Sequence, residues 1–98
     1  MERYSTRTID DLGRVVLHSS IRDEFGIKAG DSISLLLVDT IVILRKLAGE
    51  PEPGCSVSQV SELGVIEIPG EIRQKLNWST GSKVAVYRTD DLLIIKFA

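Results

Sequence analysis

The chain has one cysteine, one histidine and three prolines in 98 residues, and each scarcity closes a class of protein. Cys55 cannot form an internal disulfide, and Cys55 with His18 cannot complete a four-ligand zinc site within one chain, so no disulfide framework and no bound metal are expected. Long apolar runs are missing as well. Leu35 to Val38 and Ile41 to Leu44 are typical, at four residues each, whereas a membrane-spanning helix needs roughly 20. The N-terminal Met1-Glu2-Arg3-Tyr4-Ser5 has no apolar core and no small-residue cleavage site, so no secretory signal is read and a cytoplasmic location is expected. Charge of one sign is not in excess: 12 basic residues oppose 14 acidic ones, and the net charge is −2. A global basic field of the kind that binds any polyanion is therefore excluded, and a nucleic-acid face has to be local. Gly26, Gly30, Gly49 and Gly54 fall in neither phosphate-loop spacing. His18 beside Ser19 and Ser20 has no second histidine and no glycine-flanked nucleophile elbow. No catalytic constellation is found, so the chain is read as not an enzyme and as needing no cofactor.

What is present is ordinary globular composition, 43% hydrophobic and 27% charged, in a length that suits one core. The chain also repeats itself. Shifted by 51 residues without a gap, Leu12-Gly13 falls on Leu63-Gly64, Ile21-Arg22 on Ile72-Arg73, Gly30 on Gly81, Asp39 on Asp90 and Ile43 on Ile94. Apolar character is kept at Ile9/Val60, Leu17/Ile68, Phe25/Leu76, Ile27/Trp78, Ile33/Val84 and Leu35/Val86. Residues 1–48 and 56–98 form the two units, and residues 49–55 a Pro/Gly/Glu linker expected to be extended and exposed.

Each unit reads β-β-α-β-β. A short strand (5–9 or 56–60) runs into a turn at Gly13 or Gly64, where positive φ carries little penalty. A second strand follows at 15–17 or 65–68, the latter alternating around Glu67. A helix of about two turns comes next. Ser19 or Ser20 can cap it in the first unit, with Asp23 and Glu24 in its early turns; Pro69 and Glu71 suit its start in the second. Gly26 and Asn77 occupy the left-handed stop. A hairpin closes each unit, 32–38 with 41–47 and 83–89 with 92–97, turning at Asp39-Thr40 and Asp90-Asp91. At about 43 residues neither unit buries enough apolar surface to stand alone, so the two are expected to pack about a pseudo-twofold axis into one small barrel. Leu17, Ile33, Leu35, Val84, Val86 and Ile94 are expected in its shared core.

The segments Ile9-Asp10-Asp11-Leu12-Gly13-Arg14-Val15-Val16-Leu17, Ile21-Arg22 and Phe25-Gly26-Ile27-Lys28-Ala29-Gly30-Asp31, followed by the apolar hairpin, resemble the AbrB/SpoVT/MazE family of swapped-hairpin DNA-binding domains. Val60 to Pro69 and Glu71-Ile72-Arg73 resemble the same family, so the likeness spans nearly the whole chain outside the linker. It implies a mostly β fold, a tandem-repeat swapped-hairpin β-barrel with two short helices, in which this chain supplies both interleaved halves. It also implies a DNA-binding transcription regulator that grips double-stranded DNA through arginines on the first strand, at the turn and at the helix start. The matching positions are Arg7, Arg14 and Arg22 in the first unit, and Ser58, Val65 and Arg73 in the second. The DNA-binding set is therefore Arg7, Arg14, Arg22 and Arg73, and the first unit faces DNA.

Arginine suits that role because its fork holds a phosphate or a guanine edge through two hydrogen bonds. Arg22 and Arg73, retained in both units, also fit a structural role, for instance an ion pair with Asp10 or Glu62. Leu35-Leu36-Leu37-Val38 is apolar on both faces of its strand, so Leu36 and Val38 are left for a neighbouring chain, and a homodimer or larger assembly is expected. Two other readings stand beside this one: an antitoxin or protein-interaction module that uses the barrel as a platform, and a double-psi-like substrate- or adaptor-binding domain. Trp78 is expected in the core and Cys55 as an incidental thiol.

Overall fold

The computed structural model describes residues 2–89 and 92–98. Strands β1 (Glu2–Thr8) and β2 (Arg14–Val16), helix α1 (Ser19–Phe25) and strands β3 (Ser32–Val38) and β4 (Ile41–Lys46) make the first half. Strands β5 (Ser56–Gln59) and β6 (Val65–Glu67), helix α2 (Gly70–Leu76) and strands β7 (Lys83–Thr89) and β8 (Leu92–Phe97) make the second. The β-β-α-β-β order expected for each unit is the order found, and the protein is mostly β with two short helices. The turn at Asp90-Asp91 lies outside the described residues.

The helix starts differ from expectation. His18, not a serine, caps α1: its Nδ1 accepts the Ser20 amide at 3.2 Å, and no acid lies in the first turn because Asp23 and Glu24 come too late. Pro69 caps α2, where its fixed φ suits a helix entry and its absent N–H leaves no donor stranded. The stops are as read. Gly26 at φ 65° and Asn77 at φ 59° both turn left-handed, and each returns its amide to the last carbonyls of its helix.

All pairing is antiparallel. One six-stranded sheet runs β1-β7-β8-β4-β3-β5, and β2 pairs with β6 apart from it. Most strand pairing between the halves obeys the 51-residue repeat. In β4–β8 Ile43 lies opposite Ile94, and in β2–β6 Val15 lies opposite Ile66, so each pair joins a residue to its own repeat equivalent on the pseudo-twofold axis. The first strand of each half leaves its own unit: β1 pairs with β7 and β5 with β3, Thr6 facing Ala85 as Val57 faces Ser34. Backbone bonds repeat in the same way. Leu17 N–H reaches Gly64 O and Ile68 N–H reaches Gly13 O, both at 2.8 Å.

The single closed barrel expected from the sequence is not formed by the hydrogen bonds. β1 and β5 remain the edges of an open sheet, because three-residue β2 and β6 pair only with each other. One core is shared nonetheless: Ile9, Leu17, Ile33 and Leu35 pack with Ile68, Val84, Val86 and Ile95 in one cluster, together with Trp78. Ile94 is buried but lies outside that cluster, since it shares a register row with Ile43 and Leu36 on the outward face. Arg88 on β7 and Glu24 on α1 form an ion pair that ties the halves at the surface. No described helix is long and apolar enough to cross a membrane.

Candidate nucleic-acid interface

The four arginines expected at the interface occupy three different environments. Arg14 opens β2 and is exposed. Its Nε donates to Asp10 Oδ2 at 2.8 Å, while Asp10 Oδ1 accepts the amides of Leu12 and Arg14. The Arg14 amide, and then its guanidinium, hold the Asp10 carboxyl below the usual carboxylate range. The aspartate thus builds the turn that presents Arg14 and offsets its charge. In the second half Ser61 does the backbone part of this work alone, its Oγ accepting from Leu63 and Val65, with no arginine to hold.

Arg7 sits near the end of β1 opposite Val84, so it emerges on the core side of the sheet. It is half-buried, and its Nε is buried with no hydrogen-bond partner. A guanidinium nitrogen in that state costs free energy unless a partner completes it.

Arg22 and Arg73 are engaged within the protein. Arg22 Nε donates to Leu17 O at 3.1 Å, and Arg73 Nε to Ile68 O at 2.8 Å. Each guanidinium lies against the turn glycine of the opposite half, Arg22 under Gly64 and Arg73 under Gly13. A methyl group at either glycine would overlap the guanidinium, and both glycines have positive φ, 76° and 79°. The expected structural role is therefore met by a carbonyl and a glycine turn rather than by Asp10 or Glu62. The repeat did carry a signal for this clasp, since Leu-Gly and Ile-Arg are its two identical dipeptides, but only the fold shows that each glycine meets the other unit's arginine.

Around these side chains the outward face of the β2–β6 ribbon holds one cation and one anion, Arg14 opposite Glu67, beside Val16 opposite Val65. Leu12 and Leu63 stand at the two turns, Leu63 80% exposed. Three of the four arginines expected on this face are therefore bonded to the backbone or partly withdrawn, and Arg14 is exposed but ion-paired to Asp10.

Leu36 and Val38 share the outward face of β3. Leu36, opposite Ile43, is half-buried and borders a cleft of about 540 Å³ whose other wall is the linker, including Glu50, Glu52 and Cys55. Val38, opposite Ile41, is 39% exposed. The linker lacks strand and helix and lies beside the first hairpin, and a turn at 52–55, where the Cys55 amide donates to Glu52 O at 3.2 Å, keeps it from being extended throughout. Among the described residues no group of histidine, cysteine, aspartate and glutamate could hold a metal ion.

No family model matches the chain, and no curated protein matches it. Among solved structures it is similar to the solution structure of PHS018 from Pyrococcus horikoshii, at 20% identity and a TM-score of 0.52, over 99% of this chain and 88% of that one. That likeness supports the mostly β fold with two short helices.

Proposed function

We propose that the protein is a DNA-binding regulator of transcription built as a tandem swapped-hairpin domain of the AbrB/SpoVT/MazE type. The observation that carries this reading is the exchange of strands between halves about Ile43–Ile94 and Val15–Ile66, which makes one chain equivalent to a pair of interleaved units. The first half faces DNA. Arg14 leaves Asp10 for a phosphate, and the half-buried Arg7 turns its guanidinium outward from β1 to a second phosphate. Arg22 and Arg73 support the turns that carry Leu12-Gly13-Arg14 and its counterpart, and so act on DNA through the turn's position. Two chains pair through Leu36 and Val38 and so double a face that holds few free cations.

The test is fluorescence anisotropy on promoter fragments of the source organism at low and moderate salt. Replacing both Arg7 and Arg14 with alanine should weaken binding and lower the salt slope by about 2, since each lost phosphate contact lowers it by about 1. Unchanged affinity and unchanged salt dependence would refute the site.

A second reading, of a protein-interaction module, is favoured by the ribbon face itself. Leu12, Leu63, Val65 and Glu67 offer apolar and acidic surface where a DNA reader would place cations. Promoter fragments that bind no more tightly than random duplex would favour this reading.

A further inference from the structure

On the second half a groove of about 800 Å³ runs between β5 and β6 toward the start of α2. Its β5 wall is the edge of the six-stranded sheet. β5 pairs with β3 on one side only, so alternate N–H and C=O groups of Ser56–Gln59 face the groove with no strand to meet them. The strand reads Ser-Val-Ser-Gln, without the charge or proline that commonly blocks an open edge. Val57 and Leu63, both exposed, add apolar surface beside it.

The charge of the groove is acidic. Glu62 and Glu67 line it and are exposed. The one cation on the lining, Arg14, is held by Asp10 at 2.8 Å.

The repeat supplies an internal comparison. Shifting by 51 residues places Arg7 at the position of Ser58, and Val16 at the position of Glu67. In the first half the long, half-buried Arg7 side chain stands where Ser58 leaves room. Ser58 is itself buried, and its Oγ accepts the Glu67 amide at 3.0 Å, so β6 is tied to β5 on the core side by a side chain rather than by ladder bonds along the edge. At the mouth of the same cleft the second half thus has no guanidinium where the first has Arg7, and a carboxylate where the first has Val16.

We propose that this groove binds an extended, arginine-bearing segment of a partner protein, which adds a strand to the free edge of β5. The segment sets beside Glu62 and Glu67 the guanidinium that Arg7 provides in the first half. A second copy of this chain does not suit the groove, because β5 against β5 would bring the glutamates of both copies together. The same carboxylates repel a phosphate backbone. The groove shares Arg14 with the DNA reading, whose other contact, Arg7, lies on the first half, and the peptide and duplex arms of the experiment separate the two.

The probe is a blocked pentapeptide with a central arginine flanked by valines and ended by threonines, titrated into the isotope-labelled full chain and followed by NMR. Amides of residues 56–70 should shift. The citrulline version of the peptide, neutral but of the same shape, should bind about tenfold more weakly, since it lacks the charge-assisted bonds. Glu67→Gln should weaken the arginine peptide by a similar factor, and Ser58→Arg should abolish binding by filling the groove. Circular dichroism shows whether each variant keeps its fold, and Glu67→Gln, at an exposed site, keeps the test informative should Ser58→Arg unfold. Absence of binding by the arginine peptide, equal binding by the citrulline or a glutamate version, or shifts centred away from β5 would each overturn the proposal. So would a short DNA duplex that perturbs the same amides more strongly, or a doubling of mass centred on this edge.

Discussion

At the scale of single residues, the clearest division of labour is between the glycines of the two turns and the glycines elsewhere. Gly13 and Gly30 both have positive φ, 76° and 88°, so alanine at either meets the left-handed penalty of about 1–2 kcal/mol. Only Gly13 has a guanidinium behind it, while Gly30 looks into open space. Alanine at Gly13 must also push Arg73 aside and break its bond to Ile68 O, a hydrogen bond from a charged group worth about 1.5–3 kcal/mol. Urea denaturation should therefore rank Gly13→Ala as clearly more damaging than Gly30→Ala. Equal midpoints for the two variants would mean that the clasp contributes nothing. The clasp was half legible in the sequence. Retention of Arg22 and Arg73 where other basic positions differ pointed to structure, but the partner did not follow from spacing, because it lies across the pseudo-twofold axis.

At the scale of elements, the two helices are too short to be stable by themselves, so their ends and their one buried isoleucine each, Ile21 or Ile72, hold them in place. Asn77 closes α2 at φ 59°, the conformation that Gly26 takes at the end of α1. Asn77→Gly should be tolerated or slightly stabilising, whereas Asn77→Val should cost about 1–2 kcal/mol, as a β-branched side chain resists the left-handed region. Thermal unfolding followed by circular dichroism separates these outcomes, and a valine variant as stable as the glycine one would contradict the cap argument. Stops of this kind were readable from residue type alone. The start of α1 was not: with two serines available, the helix begins at Ser19 and His18 is its cap, a position that residue type alone does not favour.

At the scale of the whole molecule, stability belongs to neither half. Strand β1 finds its ladder on β7 and β5 finds its own on β3, so each half by itself leaves its first strand unpaired and its core open. Cleavage in the linker should therefore give two fragments that are unfolded apart and that regain the β-sheet signal when mixed at equal concentration. Two independently folded monomeric halves would refute this. The intact chain should unfold in one cooperative transition, since its core cluster draws on both halves. Assembly is decided on the outward face of β3. If Leu36 and Val38 join two chains, light scattering at micromolar concentration gives a mass near twice 10.8 kDa, and Leu36→Lys lowers it. A wild-type monomer would show instead that the linker beside Leu36 is cover enough.

The sequence by itself determined the repeat, the order of strands and helices, the left-handed stops and most of the core. All of these depend on local periodicity, on turn chemistry, or on apolar character kept at 51-residue spacing. It could not decide which strand pairs with which, since a repeated pattern offers each half its own strands or its neighbour's with the same local chemistry. Tertiary structure decided that choice in favour of exchange, with β1 on β7 and β5 on β3, an arrangement in which both halves contribute to one common core. It also decided that the sheet stays open, and that Arg22 and Arg73 turn inward onto the other half's glycines. An arginine's environment depends on what lies across the fold from it, and that is a property of packing that no stretch of neighbouring residues encodes.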